Sequence, residues 1–93
     1  MKKGYQFLRA LADSVDLRDE QLPGRPIVEI FDNTRVLVEN HRGVKMYSTD
    51  LICAGMSFGI LEIKGVKLEL SSMTRDQLIV TGDITGVELI PGV

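Results

Sequence analysis

His41 and Cys53 are the only imidazole and the only thiol in this sequence, and they are its readiest candidates for general-base or nucleophilic chemistry. His41 falls in Asn40-His41-Arg42-Gly43, a polar, glycine-ended stretch that predicts a turn. A general base needs a nucleophile held beside it, and none is adjacent, so a solvent-exposed turn residue is the favoured reading. Cys53 sits in Leu51-Ile52-Cys53-Ala54, without a neighbouring base to lower its pKa, and is expected to be a buried small hydrophobe. One His and one Cys cannot assemble a zinc site without several carboxylates. Asp13, Asp16, Asp19 and Glu20 cluster, but they lack the alternating spacing and glycine of a calcium loop and read as a solvated face. Gly55-Met56-Ser57-Phe58-Gly59 is framed by glycines like a phosphate cradle. No Lys-Ser/Thr pair and no helix follow it, so a strand connection is expected. Ser71 to Asp76 reads as a polar turn. The residues therefore predict no catalytic site, no metal and no cofactor.

The elements around these residues divide at Leu22-Pro23-Gly24-Arg25-Pro26. Before it, Phe7, Leu8, Leu11, Ala12 and Val15 recur at helical spacing, with no Gly or Pro between positions 5 and 22. Residues 1–22 are thus predicted to form an N-terminal amphipathic helix, stopped by Pro23 and Gly24. From Pro26 onward short Val, Ile and Leu runs alternate with Gly, Asn, Asp and Ser, which predicts a β domain over 27–93. At 93 residues the chain is one domain with a thin core. With three Phe, two Tyr and no Trp, that core must be aliphatic.

A short unit recurs in the β region. Gly43-Val44-Lys45-Met46, Gly65-Val66-Lys67-Leu68 and Gly86-Val87-Glu88-Leu89 start 22 and 21 residues apart. Side-chain parity favours hairpins with Gly43, Gly65 and Gly86 as turn glycines. A two-residue turn at Lys64-Gly65 would put Leu61, Ile63, Val66, Leu68 and Leu70 on one apolar face and Glu62 across from Lys67. A turn at Thr85-Gly86 would align Leu78, Val80 and Ile84 with Val87 and Leu89, at the cost of setting Asp83 against Glu88. Three-residue turns at Asp32-Asn33-Thr34 and His41-Arg42-Gly43 complete an antiparallel β-hairpin meander, either a curled sheet or a small barrel or sandwich. The rival reading is a continuous strand with a β-bulge at each glycine, which also reverses parity.

In these registers Phe58, Ile60 and Ile79 fall on the outer face, where a curled sheet would cover them or a partner would. Ile27–Phe31 and Val87–Ile90 are candidate edges for strand addition. The net charge of -2, with acids and bases interspersed, argues against phosphate-driven nucleic-acid binding. No apolar run approaches the roughly 20 residues of a membrane-spanning helix, and Arg9 and Asp13 interrupt any signal-like stretch. One cysteine fits a reducing compartment, so a cytoplasmic protein is expected. Lys2, Lys3 and Arg9 beside Tyr5, Phe7 and Leu8 would also suit an anionic membrane surface, but Asp13 and Asp16 favour packing of the helix on the sheet.

The run from Ile27 to Leu89, about two thirds of the chain, resembles the YabP/YqfC family of sporulation proteins from endospore-forming bacteria. The resemblance rests on Val38-Glu39-Asn40-His41-Arg42-Gly43-Val44, then Gly59-Ile60-Leu61-Glu62-Ile63-Lys64-Gly65-Val66-Lys67-Leu68-Glu69-Leu70. It continues through Leu78-Ile79-Val80-Thr81-Gly82-Asp83-Ile84 and Val87-Glu88-Leu89, and the order and spacing carry it. A basic, helix-like leader suits the YqfC branch. The resemblance implies a non-enzymatic role in the mother cell, in spore envelope or coat assembly. It also implies protein partners, either further copies or a membrane-anchored sporulation protein. The alternatives are a small-ligand or lipid-binding β-barrel, with a pocket lined by Leu61, Ile63, Val66 and Leu68, and a peripheral membrane protein anchored by its helix.

Overall fold

The computed structural model describes residues 24–92, so the helix predicted over 1–22 lies outside the described residues. Those residues form six strands: β1 (Ile27–Phe31), β2 (Arg35–Glu39), β3 (Val44–Tyr47), β4 (Leu51–Met56), β5 (Gly59–Met73) and β6 (Gln77–Pro91). All pair antiparallel in one sheet of order β1-β2-β6-β5-β4-β3.

The two 15-residue strands, β5 and β6, organise the fold. The first half of β5, Gly59 to Lys64, lies between β4 and the second half of β6. Its second half, Glu69 to Met73, pairs with the first half of β6, which β2 flanks on the other side. The long pair is thus shared by two four-stranded halves, β3-β4-β5-β6 and β1-β2-β6-β5. Three register shifts, at Lys64/Gly65, Val66/Glu69 and Leu70/Ser72, interrupt its ladder. Bulges bend the strand that carries them and raise its twist, and here they curl the sheet over its own core. Val36, Val38, Leu78 and Val80 from one half meet Ile52, Ala54, Met56, Leu61 and Ile63 from the other, with Leu68 and Ile84 at the bend, in a single buried cluster.

The Asp32-Asn33-Thr34 turn joins β1 to β2 in the predicted register, with Val28 opposite Val38 and Ile30 opposite Val36. Asp32 takes a φ of 56°, which acidic and amide residues tolerate better than most. The glycine-framed stretch is the expected strand connection: Ser57 and Phe58 turn between β4 and β5, with Met56 opposite Gly59. Of the predicted polar turn, Thr74 to Asp76 turn between β5 and β6, whereas Ser71, Ser72 and Met73 belong to β5. Thr74 Oγ1 accepts a 3.0 Å bond from the Gln77 N–H there.

The hairpins at the other repeated glycines do not form. β5 runs through Gly65 and β6 runs through Gly86, so the bulged, continuous-strand reading holds at both. Lys64 pairs with Gly86 and Gly65 with Ile84, which leaves Thr85 as the extra residue on β6. Lys67 and Leu68 together face Gly82, with Lys67 at a φ of 55°. This bulge reverses parity, so Val66 points to solvent, at 52% exposure, while Leu68 is fully buried. Glu62 accordingly never meets Lys67; it faces Cys53 and Glu88, and its ion pair is with Lys64 on its own strand, at 3.6 Å. Gly43 does take a positive φ, of 103°, but no β2–β3 hairpin surrounds it. β2 pairs with β1 and β6, and β3 pairs with β4 at the far end of the sheet. Residues 40–43 are therefore a crossover between the halves, possible because the sheet is curled.

A candidate interaction surface at the sheet edges

His41 helps to hold that crossover. The Gly43 N–H donates to Nδ1 at 2.9 Å, so Nε2 carries the proton and donates to the Thr74 carbonyl at 2.9 Å. The Asn40 N–H meanwhile donates to the Asp76 carbonyl at 2.5 Å. His41 is half-buried and ties the crossover to the β5–β6 turn, rather than standing free in solvent as the sequence predicts. His41→Ala removes two hydrogen bonds and is expected to lower stability by about 1–3 kcal/mol, read as a fall in urea midpoint at unchanged slope.

Cys53 is buried, as its apolar surroundings predict, and it is a free thiol. Burial pushes its pKa above the ordinary 9.0, Glu62 adds to the rise, and Lys64 opposes it. The proton is therefore held more tightly in the folded chain. The stability this contributes is fully present below pH 9.0 and is lost as pH rises through the folded-state value. At neutral pH a thiol reagent is expected to label native Cys53 at least about tenfold more slowly than the denatured chain. Equal rates would contradict the burial. Among the described residues no group of three or more His, Cys, Asp or Glu side chains is placed to hold a metal ion. Among the described residues no helix is long and apolar enough to cross a membrane.

The predicted outer-face residues are not one patch. Ile60 lies opposite Ile90 near one end of the β5–β6 ladder, and Ile79 lies between Leu37 and Ser72 near the other. Phe58, in the β4–β5 turn, packs against the buried cluster, and all three side chains are only half-buried. The strongly exposed apolar side chains are elsewhere. Ile27, Ile30 and Phe31 are on β1, Met46 and Tyr47 on β3, Val66 and Met73 on β5, and Leu89 on β6. Seven of these eight lie where a strand has a neighbour on one side only: β1 and β3 end the sheet, β6 beyond Ile84 pairs with β5 alone, and the second half of β5, with Met73, pairs with β6 alone. Ile27–Phe31 and Val87–Ile90 were recognisable as edges from the sequence. β3 was not, because its assignment to a hairpin with β2 placed it inside the sheet; its exposed Met46-Tyr47 pair was the available signal.

Charge is also divided between edges. The β3 edge and its approach carry Arg42 and Lys45 and no acid, whereas the second half of β6 carries Asp83 and Glu88 and no base. These features define an all-β domain whose interior is closed by packing and whose exposed apolar side chains line open strand edges. The YabP family model matches residues 24–92, and the chain belongs to that family. Membership suggests a sporulation-associated protein. No curated protein and no solved structure matches the chain.

Proposed function

We propose that this domain is a non-enzymatic assembly or docking module, of the YqfC branch, that acts in the mother cell while the spore envelope and coat are built. The observation that carries this reading is the concentration of exposed Ile30, Phe31, Met46, Tyr47 and Leu89 on strands with an open side. An unpaired strand offers a row of backbone donors and acceptors, and apolar side chains beside it add contact area for a protein partner. The interior supports protein docking over ligand binding. Leu61, Ile63 and Leu68 are fully buried among other side chains, and Val66, the fourth residue of the alternative pocket, points outward. The partners are a membrane-associated sporulation protein or further copies of the chain, met at the forespore surface from the cytoplasmic side.

The test is a deletion in an endospore-forming host, complemented with the wild type or with an Ile30→Lys, Leu89→Lys variant fused to a fluorescent protein. The wild type should gather around the forespore and restore heat-resistant spore counts, and the variant should remain diffuse and restore them poorly. A deletion strain that sporulates normally, or a variant that gathers and complements fully, would overturn the reading.

A further inference from the structure

We infer that copies of this chain join head to tail, with β3 of one copy adding to the second half of β6 of the next. This inference rests on the assembly reading and names its contact. Four observations lead to it.

First, β3 and the part of β6 beyond Ile84 are open on one side within the same half of the sheet. Before that point the β1–β2 turn covers β6, with the Gly82 N–H donating to the Thr34 carbonyl and the Ile84 N–H to the Asn33 carbonyl. Strands alternate in direction across that half, so β6 and β3 run oppositely. A second copy in the same orientation therefore brings β3 beside β6 antiparallel and extends the half-sheet by one copy.

Second, the edges are complementary in charge and like edges are not. β3 against β3 about a two-fold axis sets Lys45 beside Lys45, and β6 against β6 along its open part sets Glu88 beside Glu88. β1 against β1, centred on its middle residue, sets Glu29 against Glu29. Like charges directly opposite destabilise strand pairs, whereas opposite charges favour them.

Third, the faces agree. Leu89 pairs with inward Leu61, and Glu88 pairs with Glu62 on the outer face. On β3, Val44 pairs with inward Ala54, and Lys45, the extra residue of a bulge before Met46, lays its side chain over the outer face of Gly55, its Cε 2.7 Å from where a Cβ there would stand. A register that opposes Lys45 and Glu88 on the outer face opposes Val44 and Leu89 on the inner one.

Fourth, Glu88 is an exposed acid with another acid, Glu62, directly across the ladder and, among the described residues, no ion pair of its own. A lysine arriving on its open side would relieve that repulsion.

A contact between two different edges is not self-complementary, so copies add in series, as a row or, where the rotation per copy closes, a ring. β3 is only four residues long, so each contact is small and association should depend on concentration.

Sedimentation of the full chain over a range of concentrations tests this. The weight-average mass of the wild type should rise about twofold or more at the highest concentration and fall with added salt. Lys45→Glu and Glu88→Lys should each stay monomeric while keeping the wild-type circular dichroism spectrum. An equimolar mixture of the two should associate again, because each restores opposite charges to the other's edges. A wild type that remains monomeric overturns the inference, as does association abolished by Glu29→Lys but untouched by Lys45→Glu. Those results leave the docking reading to its own test in sporulating cells, where failure appears as normal spores without the protein.

Discussion

Gly65→Ala is expected to destabilise the domain by about 3 kcal/mol or more, while Gly86→Ala should be neutral or stabilise it by up to about 1 kcal/mol. The two glycines head near-identical sequence units, yet their surroundings are opposite. A Cβ at position 65 would collide with the Asp83 carbonyl oxygen and stand 2.7 Å from Leu68 Cδ2. The oxygen belongs to the neighbouring strand of the bulged ladder, so it moves only if that ladder opens. A Cβ at position 86 meets nothing within 4 Å. Gly86 has ordinary strand conformation, where alanine loses less conformational entropy on folding than glycine does. Urea unfolding of both variants separates the two structural readings. Had Gly86 been the left-handed residue of a two-residue hairpin turn, alanine there would be strained. A Gly86→Ala loss above about 1.5 kcal/mol, with Gly65→Ala tolerated, would contradict strands that run through both positions.

This contrast also marks how far the sequence could be read. The Asp32-Asn33-Thr34 turn was legible to the register because its neighbours, Val28, Ile30, Val36 and Val38, alternate without interruption and the turn residues suit a positive φ. The same parity rule misplaced the later turns. A parity reversal says that one residue is extra, but a turn and a bulge both supply it. Glycine tipped the choice toward turns, and strands of 15 residues are longer than the usual range of about 3–10. At the bulge itself the left-handed residue is Lys67, a type that gives no signal of positive φ. One warning was visible: the Thr85-Gly86 turn set Asp83 against Glu88. Of the candidate surface, the β1 and β6 edges were legible because their strands were identified. The separation of Ile60 from Ile79 was not, because it depends on how far the bulged ladder extends between them.

Leu68→Ala should cost about 3–5 kcal/mol, and its cost should shrink in a Gly65→Ala background. Leu68 is fully buried at the bend, where the bulge turns it inward opposite Gly82 and the two halves of the core meet. Truncation there leaves a cavity lined by β-sheet backbone that the neighbouring bulges already constrain, so little collapse can offset the lost contacts. For a domain whose total stability lies in the usual range of about 5–15 kcal/mol, that is a large share. The coupling to position 65 follows from geometry. Part of the Gly65→Ala penalty is the crowding against Leu68 Cδ2, which Leu68→Ala removes, while the collision with the Asp83 carbonyl remains. The double variant should therefore be more stable than the sum of the single losses by about 0.5–2 kcal/mol, yet less stable than Leu68→Ala alone. Leu78→Ala provides the control. It is equally buried, but it pairs with Met73 and Val38 at the far end of the long ladder. Combined with Gly65→Ala it should add to within about 0.5 kcal/mol. Strict additivity of Leu68→Ala with Gly65→Ala would mean that the leucine does not rest on the glycine, and the inward turn of the bulge would have to be redrawn.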